Sequence, residues 1–551
     1  MTRFLAGVLL GLLVAGPLSA PNTYAQETYK GSRLSEAALA APSPAKSGIR
    51  GQVACAQGKA GEYPCLNADL MSFMSFTDLV GTLSPTTNEA NDVWGWTDPE
   101  TGVEYVLLGL EHGTAFVDIS DPEAPFTVGF LPSTNVQRGE MRGIVPQPYY
   151  SVWRDIKVYA NHAFVVADAS NTHGMQVFDL TRLRGVASPP VTFDNTALYT
   201  GIASAHNLVI NEDTGFAYAV GSNSGGTTCG GGLHMIDIRT PAAPLSAGCF
   251  ADILTGRSGT GYTHDAQCVI YHGPDTDYTG HEICIGSNET MVSVADVTDK
   301  ANPVAISRIS YPGAAYIHQG WLTEDHRYFF QDDELDELNQ FTSRTRTLVW
   351  DLSDLDDPLY FSDFLSSQAS IDHNQYVRGN LLYQSNYSSG LRIYNIADVE
   401  TPVEVGYFDT RPTDGAITFT GSWSNYPYFE SGIVAVSSID EGLFLVRPTG
   451  TAVDTAAEQP DPTGAFQLSP AYPNPFTDVS RVSLSVDESA LLTVEVFDIL
   501  GRQVATLYQG TVAGGSTLLL DFVAGDLPDG HYLIRARSGE ATVSRLAVIL
   551  R

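Results

Sequence analysis

One pattern returns along this chain and limits what it can fold into. Gly113 to Pro132 reads GTAFVDISDPEAPFTVGFLP, two alternating runs parted by a polar turn that holds Pro122 and Pro125. Ala115, Val117 and Ile119 alternate with Thr114, Phe116 and Asp118, and Phe126, Val128 and Phe130 open the second run. Period-2 alternation of this kind predicts two strands joined by a turn. The pattern returns at Gly174, Gly231, Glu289, Arg346 and Ser389, with a shortened copy at Glu441. Asp118, Asp179, Asp237, Asp296, Asp351 and Asn395 hold one register, at intervals of 61, 58, 59, 55 and 44 residues. A β-rich unit of this size cannot bury its apolar face alone, so the repetition predicts a propeller or another array.

Each interval holds two further strand-like runs: RDIKVYA and HAFVVAD, HNLVINE and GFAYAVG, HDAQCVIYH and HEICIGS, HQGWLTE and RYFFQDD, HNQYVRG and NLLYQSN. Four strands per unit is the content of one propeller blade. DVWGWTD, EYVLLGL, TAFVDIS and FTVGFLP make the first unit, whereas the last (GSWSNYP, GIVAVSS, GLFLVRP) stops one strand short. Residues 70–76, LMSFMSF, alternate without a partner of their own. They are expected to complete the last blade, which removes an open sheet edge. The predicted fold is all-β: a seven-bladed β-propeller over 51–449, then a small C-terminal β-sandwich domain.

The hallmark, hydrophobic-x-x-D-[ILV]-[ST]-D with a Pro a few residues on, resembles the LVIVD repeat. The ordered motifs WGW at Trp94, HDAQC at His264, HQGWLTED at His318, QDDELDEL at Gln331 and DHNQYVRGNLLYQSNYSSGLRIYNI at Asp372 resemble the choice-of-anchor B proteins. The resemblance covers about residues 50 to 450. It implies a propeller at the cell surface and assigns no reaction, so whether the chain is an enzyme stays open.

Charge narrows the partners. Across 551 residues, 29 Lys and Arg face 63 Asp and Glu, a formal net charge of −34. That argues against nucleic acid and anionic membrane surfaces, which need positive charge. Arg3, the apolar run Phe4 to Gly16 and the small-x-small site Thr23-Tyr24-Ala25 read as a signal peptide over 1–25. A linker rich in Ala, Ser, Pro and Gly follows over 26–50. No later stretch approaches the roughly 20 apolar residues of a membrane-spanning helix. Six cysteines in an exported chain point to disulfides. They allow 15 pairings; local placement favours Cys55 with Cys65, Cys229 with Cys249, and Cys268 with Cys284. A thiolate metal cluster is the alternative, weakened by the absence of a C-x-x-C spacing.

The start of each unit's first strand carries the candidate chemistry. His206, His264, His318 and His373 precede Asn207, Asp265, Gln319 and Asn374, while Arg154-Asp155 stands there in the second unit. One register in successive blades brings four imidazoles to one level near the axis. Imidazole suits zinc, copper, nickel or iron, and Asp155 or Asp265 would complete the shell or orient a ring. The competing reading is structural, with these side chains bonding backbone groups and holding blades in register. Asp332, Asp333 and Glu334 follow the strand RYFF and are a candidate calcium loop, because Ca²⁺ takes oxygen ligands. A solvated acidic loop is the alternative. No G-x-S-x-G, H-E-x-x-H, P-loop or dinucleotide fingerprint occurs in its required context.

After a polar linker at 450–465 the composition changes again. Tyr472-Pro473-Asn474-Pro475-Phe476, Val496-Phe497-Asp498-Ile499-Leu500-Gly501-Arg502 and Leu527-Pro528-Asp529-Gly530-His531-Tyr532 resemble, in that order, the type A sorting domain of the type IX secretion system over 466–551. The resemblance implies passage across the outer membrane by that machinery, then attachment to surface lipopolysaccharide or release. Two functions remain in view. One is a cell-surface or secreted interaction or ligand-binding module for an extracellular protein or glycan. The other is a metal-dependent propeller enzyme with a histidine-coordinated transition metal near the axis.

Overall fold

The repeated Asp is a turn-former. Each closes the third strand of its sheet, and its Oδ1 accepts the backbone N–H two residues on: Asp118 from Ser120, Asp179 from Thr181, Asp237 from Arg239, Asp296 from Thr298 and Asp351 from Ser353. Asn395 does the same with Ala397. Such Asx turns need a short side-chain acceptor at one fixed position, which explains why only Asp and Asn occupy the register. Asp121, Asp299, Asp354 and Asp398 repeat the device three residues later.

The computed structural model describes residues 47–84, 87–134, 151–170, 172–412 and 417–449 of the larger part. In the C-terminal part it describes 466–468, 471, 476–486, 489–498, 502–525, 527–528, 530–538 and 541–549. The signal peptide and the 450–465 linker therefore lie outside the described residues. The chain divides into two compact units, Met1–Thr451 and Ala452–Arg551. Both are nearly all β.

Among the described residues, unit one contains seven sheets that each include four antiparallel strands, three of them with further strands added, and one two-stranded sheet. In the first, Ala90–Thr97, Glu104–Leu110, Gly113–Asp118 and Phe126–Pro132 pair in chain order. The first strands of the others are Arg154–Tyr159, Asn207–Asn211, Asp265–Ile270, Ile317–Leu322, Gln375–Arg378 and Ser422–Tyr426. Each first strand packs on the next in that order, and Ser422–Tyr426 packs back on Ala90–Thr97. Six of the arrays carry a register shift between third and fourth strands, and in five of them it falls one or two residues before the Asx turn. Bulges of this kind strengthen strand twist.

The last array is assembled from both ends of the unit. Ser422–Tyr426, Val434–Ser438 and Gly442–Pro448 are followed by Ala68–Met74, with Ile49–Val53 beyond it. Phe73 and Phe444 are ladder partners whose rings stack at 4.6 Å, and Tyr63 meets Phe444 edge-on at 5.2 Å. Burying a Phe contributes about 1.5–3 kcal/mol, so this seam is held by its aromatics as well as its ladder.

Three boundaries differ from the sequence reading. The 70–76 strand runs instead over Ala68–Met74, because Ser75 and Asp78 form a capping box that starts a helix at Phe76. The linker read through residue 50 gives way to strand at Ile49. In the second array the run Val191–Thr192 leaves to pair with Phe126–Pro132 of the first, and Ala197–Tyr199 takes its place. A 3₁₀ turn at Leu180–Leu183, capped by Asp179, redirects the chain there.

Disulfides join Cys55–Cys65, Cys229–Cys249 and Cys268–Cys284. The last pair are direct ladder partners. Unit two has a three-stranded and a four-stranded sheet that share one core, with Leu484 and Phe522 from one and Val494 and Ile534 from the other.

Candidate functional site

The expected imidazoles form a file. Ring centroids lie 4.3 Å apart for His206 and His264, 4.2 Å for His264 and His318, and 4.4 Å for His318 and His373. Trp423 and Tyr387 extend it, at 4.6 and 4.8 Å from His373. Every Nδ1 meets an oxygen acceptor: Asp168 Oδ2 at 2.9 Å for His206, the His318 carbonyl at 2.9 Å for His264, Asp332 Oδ2 at 3.3 Å for His318 and the Trp423 carbonyl at 2.6 Å for His373. A ring that donates from Nδ1 carries its lone pair on Nε2, the tautomer used by metal-ligating histidines with an outer-shell acceptor. Burial pushes the His318 pKa well below the usual histidine range, and its three neighbouring imidazoles push it further.

Glu334 joins this file. Its Oε1 accepts from the Tyr387 hydroxyl at 2.7 Å and lies 3.8 Å from His373 Nε2. One ligand atom from each of His318, Glu334 and His373 lies within 4.8 Å of the other two. Two imidazole nitrogens and a carboxylate oxygen at that spacing suit a transition metal and leave coordination positions for an outside ligand.

The candidates are thus redistributed. Asp332 and Asp333 end a buried strand, Tyr328–Asp333, and successive strand side chains point to opposite faces. Asp332 backs His318 and accepts the Gln319 amide, while Asp333 accepts from the Tyr311 hydroxyl and from the amides of Ala315 and Tyr316. With Glu334 on Tyr387, the three carboxylates do not converge as one calcium loop. Asp155 and Asp265 make no hydrogen bond to the imidazoles among the described residues. Asp155 meets Lys157 and the Leu208 amide, and Asp265 Oδ1 accepts the Ala266 amide at 2.7 Å.

Stitching between first strands falls mainly to the residue after the histidine register. Asp92 accepts from the Ile156 amide at 3.1 Å, and Asn207 donates to the His264 carbonyl at 3.0 Å. Gln319 both accepts from the Gln375 amide and donates to its carbonyl, each at 3.1 Å. His264 and His373 add their own bonds to carbonyls, so the structural role is shared.

Sequence reasoning missed several groups. One is His173, whose Nε2 lies 3.0 Å from Nη1 of the buried Arg154 in the second unit's histidine register. Burial and that guanidinium push the His173 pKa down to about 3. Asp168 directly follows the second strand His162–Ala167, and Asp332 is the penultimate residue of the second strand Tyr328–Asp333. Asp336, Glu337 and Asp372 form a buried carboxyl group with Arg346 on Asp336. Burial, with Asp372 and Asp336, pushes the Glu337 carboxyl well above the usual carboxylate range.

One residue along the same first strands lies a cavity of about 510 Å³. Trp94, Trp321, Tyr376, Tyr426 and Tyr428 wall it, with Asp155, Lys157 and Asp265 among its polar groups. Lys157 binds Asp155 and lies 3.5 Å from Asp92 and 4.5 Å from the Trp94 ring centroid. The paired charges pull oppositely: burial raises Asp92 well above the carboxylate range, while Lys157 and hydrogen bonds hold Asp155 low against its own burial.

No curated protein matches the chain. Among solved structures it is similar to a functionally unknown protein from Desulfotomaculum acetoxidans, at 12% identity over 65% of this chain and 98% of that one, with a TM-score of 0.39. It is also similar to a protein from Lactobacillus plantarum, at 11% identity over 79% and 100%, with a TM-score of 0.40. A third is a hypothetical selenium-binding protein from Sulfolobus tokodaii, at 10% identity over 60% and 85%, with a TM-score of 0.37. Among the described residues no helix is long and apolar enough to cross a membrane. Residues 470–550 match the family described as the secretion system C-terminal sorting domain. That tail implies engagement with the type IX secretion machinery, and indicates export to the outer surface or the extracellular space.

Proposed function

We propose that residues 51–449 are a seven-bladed β-propeller of the LVIVD-repeat, choice-of-anchor B kind, followed by a β-sandwich sorting domain, and that the propeller is a surface ligand-binding module holding a transition-metal ion. The fold reading is supported by seven four-stranded arrays whose first strands pack in a cyclic order. The metal reading rests on one observation: ligand atoms of His318, Glu334 and His373 lie within 4.8 Å of one another. Asp332 and the Trp423 carbonyl orient the two imidazoles, as outer-shell acceptors do. Three protein ligands would let the ion take a further ligand from an extracellular partner. Surface lipopolysaccharide is the attachment partner on this reading.

The test is elemental analysis of the full chain by plasma mass spectrometry after dialysis and reloading. About one equivalent of copper, zinc, iron or nickel, lost in His318→Ala and in His373→Ala, is the expected result. Calcium alone would return the carboxylates to a structural role. No bound metal after reloading overturns the reading and leaves the file as an inter-blade hydrogen-bonding device.

A further inference from the structure

We propose that the cavity walled by Trp94, Trp321, Tyr376 and Tyr428, with Asp155 and Asp265 on its polar side, binds a small organic cation, an amine or quaternary ammonium. It shares no residue with the proposed metal ligands.

Size, charge and wall chemistry point the same way. About 510 Å³ falls in the range of small-molecule sites, roughly 300–1,000 Å³. Five carboxylates line it (Asp155, Glu212, Asp213, Asp265 and Glu324) against one ammonium, Lys157. Lys157 makes its ion-pair contacts with Asp155 and Asp92 and acts on Asp265 only at longer range. The one hydrogen bond to Asp265 among the described residues is the Ala266 amide on Oδ1. An anionic ligand would meet that negative field, whereas a cation relieves it.

The aromatic wall favours a cation as well. Trp94 meets Tyr376 at 5.8 Å and Trp321 meets Tyr376 at 5.0 Å, both edge-on at 72°. Tyr428 lies 6.3 Å from Tyr376, and its hydroxyl donates to the Val377 carbonyl. Rings braced in this way form a rigid box, and an ammonium over an aromatic face is attracted by the ring quadrupole. The protein already uses this attraction, since Lys157 Nζ sits 4.5 Å from the Trp94 centroid.

The experiment is calorimetric titration of the full chain with choline chloride, and with its neutral isostere 3,3-dimethylbutan-1-ol, at low ionic strength. Choline is expected to bind once per chain and to quench tryptophan fluorescence. The alcohol should bind about tenfold or more weakly, and Asp265→Asn and Trp321→Ala should each weaken choline about tenfold. Circular dichroism melting confirms that both variants fold, and the choline-to-alcohol ratio tests the claim on the unaltered chain. Equal binding of alcohol and choline overturns the proposal by making the cavity merely apolar. Binding of N-acetylglucosamine oligosaccharides in place of choline overturns it in favour of a glycan site, and no response to any probe overturns it outright.

Discussion

The histidine file and the aromatic cavity are built from neighbouring residues at or just before the starts of the same first strands, yet their chemistry is opposite. His206, His264, His318 and His373 gather neutral nitrogen donors, braced by carbonyl and carboxylate acceptors. Asn207, Asp265, Gln319 and Asn374, each one residue later, line a cavity of net negative charge. Strand geometry explains the partition, since successive side chains leave on opposite sides. A dipeptide such as His264-Asp265 is therefore a member of two sites and not a ligand pair.

The comparison can be broken most sharply at the metal. His318→Ala should empty the ion site, whereas Asp265→Asn should leave it full; metal-to-protein ratios read the difference, and loss in both would merge the two regions. Next in size, Lys157→Met strands the buried carboxyls of Asp92 and Asp155. Removing one partner of a buried ion pair costs about 3–5 kcal/mol, which denaturant unfolding of the full chain would detect.

Two buried groups, His173 beside Arg154 and Asp265 in the cavity, should also respond to pH with opposite sign. His173 titrates at about 3 when folded, below its unfolded value of 6.5. The unfolded state binds more protons between those limits, so stability falls on acidification through that window. His173→Gln should flatten the slope. Burial and Asp155 raise Asp265 from 3.8 to about 7, so there the folded state binds more protons and stability falls as pH rises from 4 to 7. Asp265→Asn should remove that loss. Each pKa unit of difference is worth about 1.4 kcal/mol. The smallest effect is expected from Trp94→Phe, which weakens the contact with Lys157 by about 0.5–1 kcal/mol.

Much of the all-β architecture was legible because its signals are local. Alternation in Gly113–Asp118 and the turn-forming Asp118 both act within a few residues. Where local signals competed, boundaries moved: Ser75 and Asp78 started a helix inside a run that alternates like a strand. The departure of Val191–Thr192 to a neighbouring sheet had no such mark, because its partner Phe126–Pro132 lies more than 50 residues earlier.

The candidate site was half legible. A histidine in one register of successive first strands predicts that the rings meet, and they do. Which carboxylates meet them did not follow from adjacency. Glu334, read with Asp332 and Asp333, reaches His373 across 39 residues of sequence, and Asp168 reaches His206 across 38.

The sequence by itself determined most of the strands, the turns at the repeated Asp, the sorting tail and the register of the imidazoles, since each depends on residue identity at short spacing. Only the tertiary structure decided the membership of each site. That depends on which strand ends are neighbours across sheets and which side each alternate residue faces, so Glu334 stands with His318 and His373 while Asp155 and Asp265 stand with Lys157 and the aromatic wall.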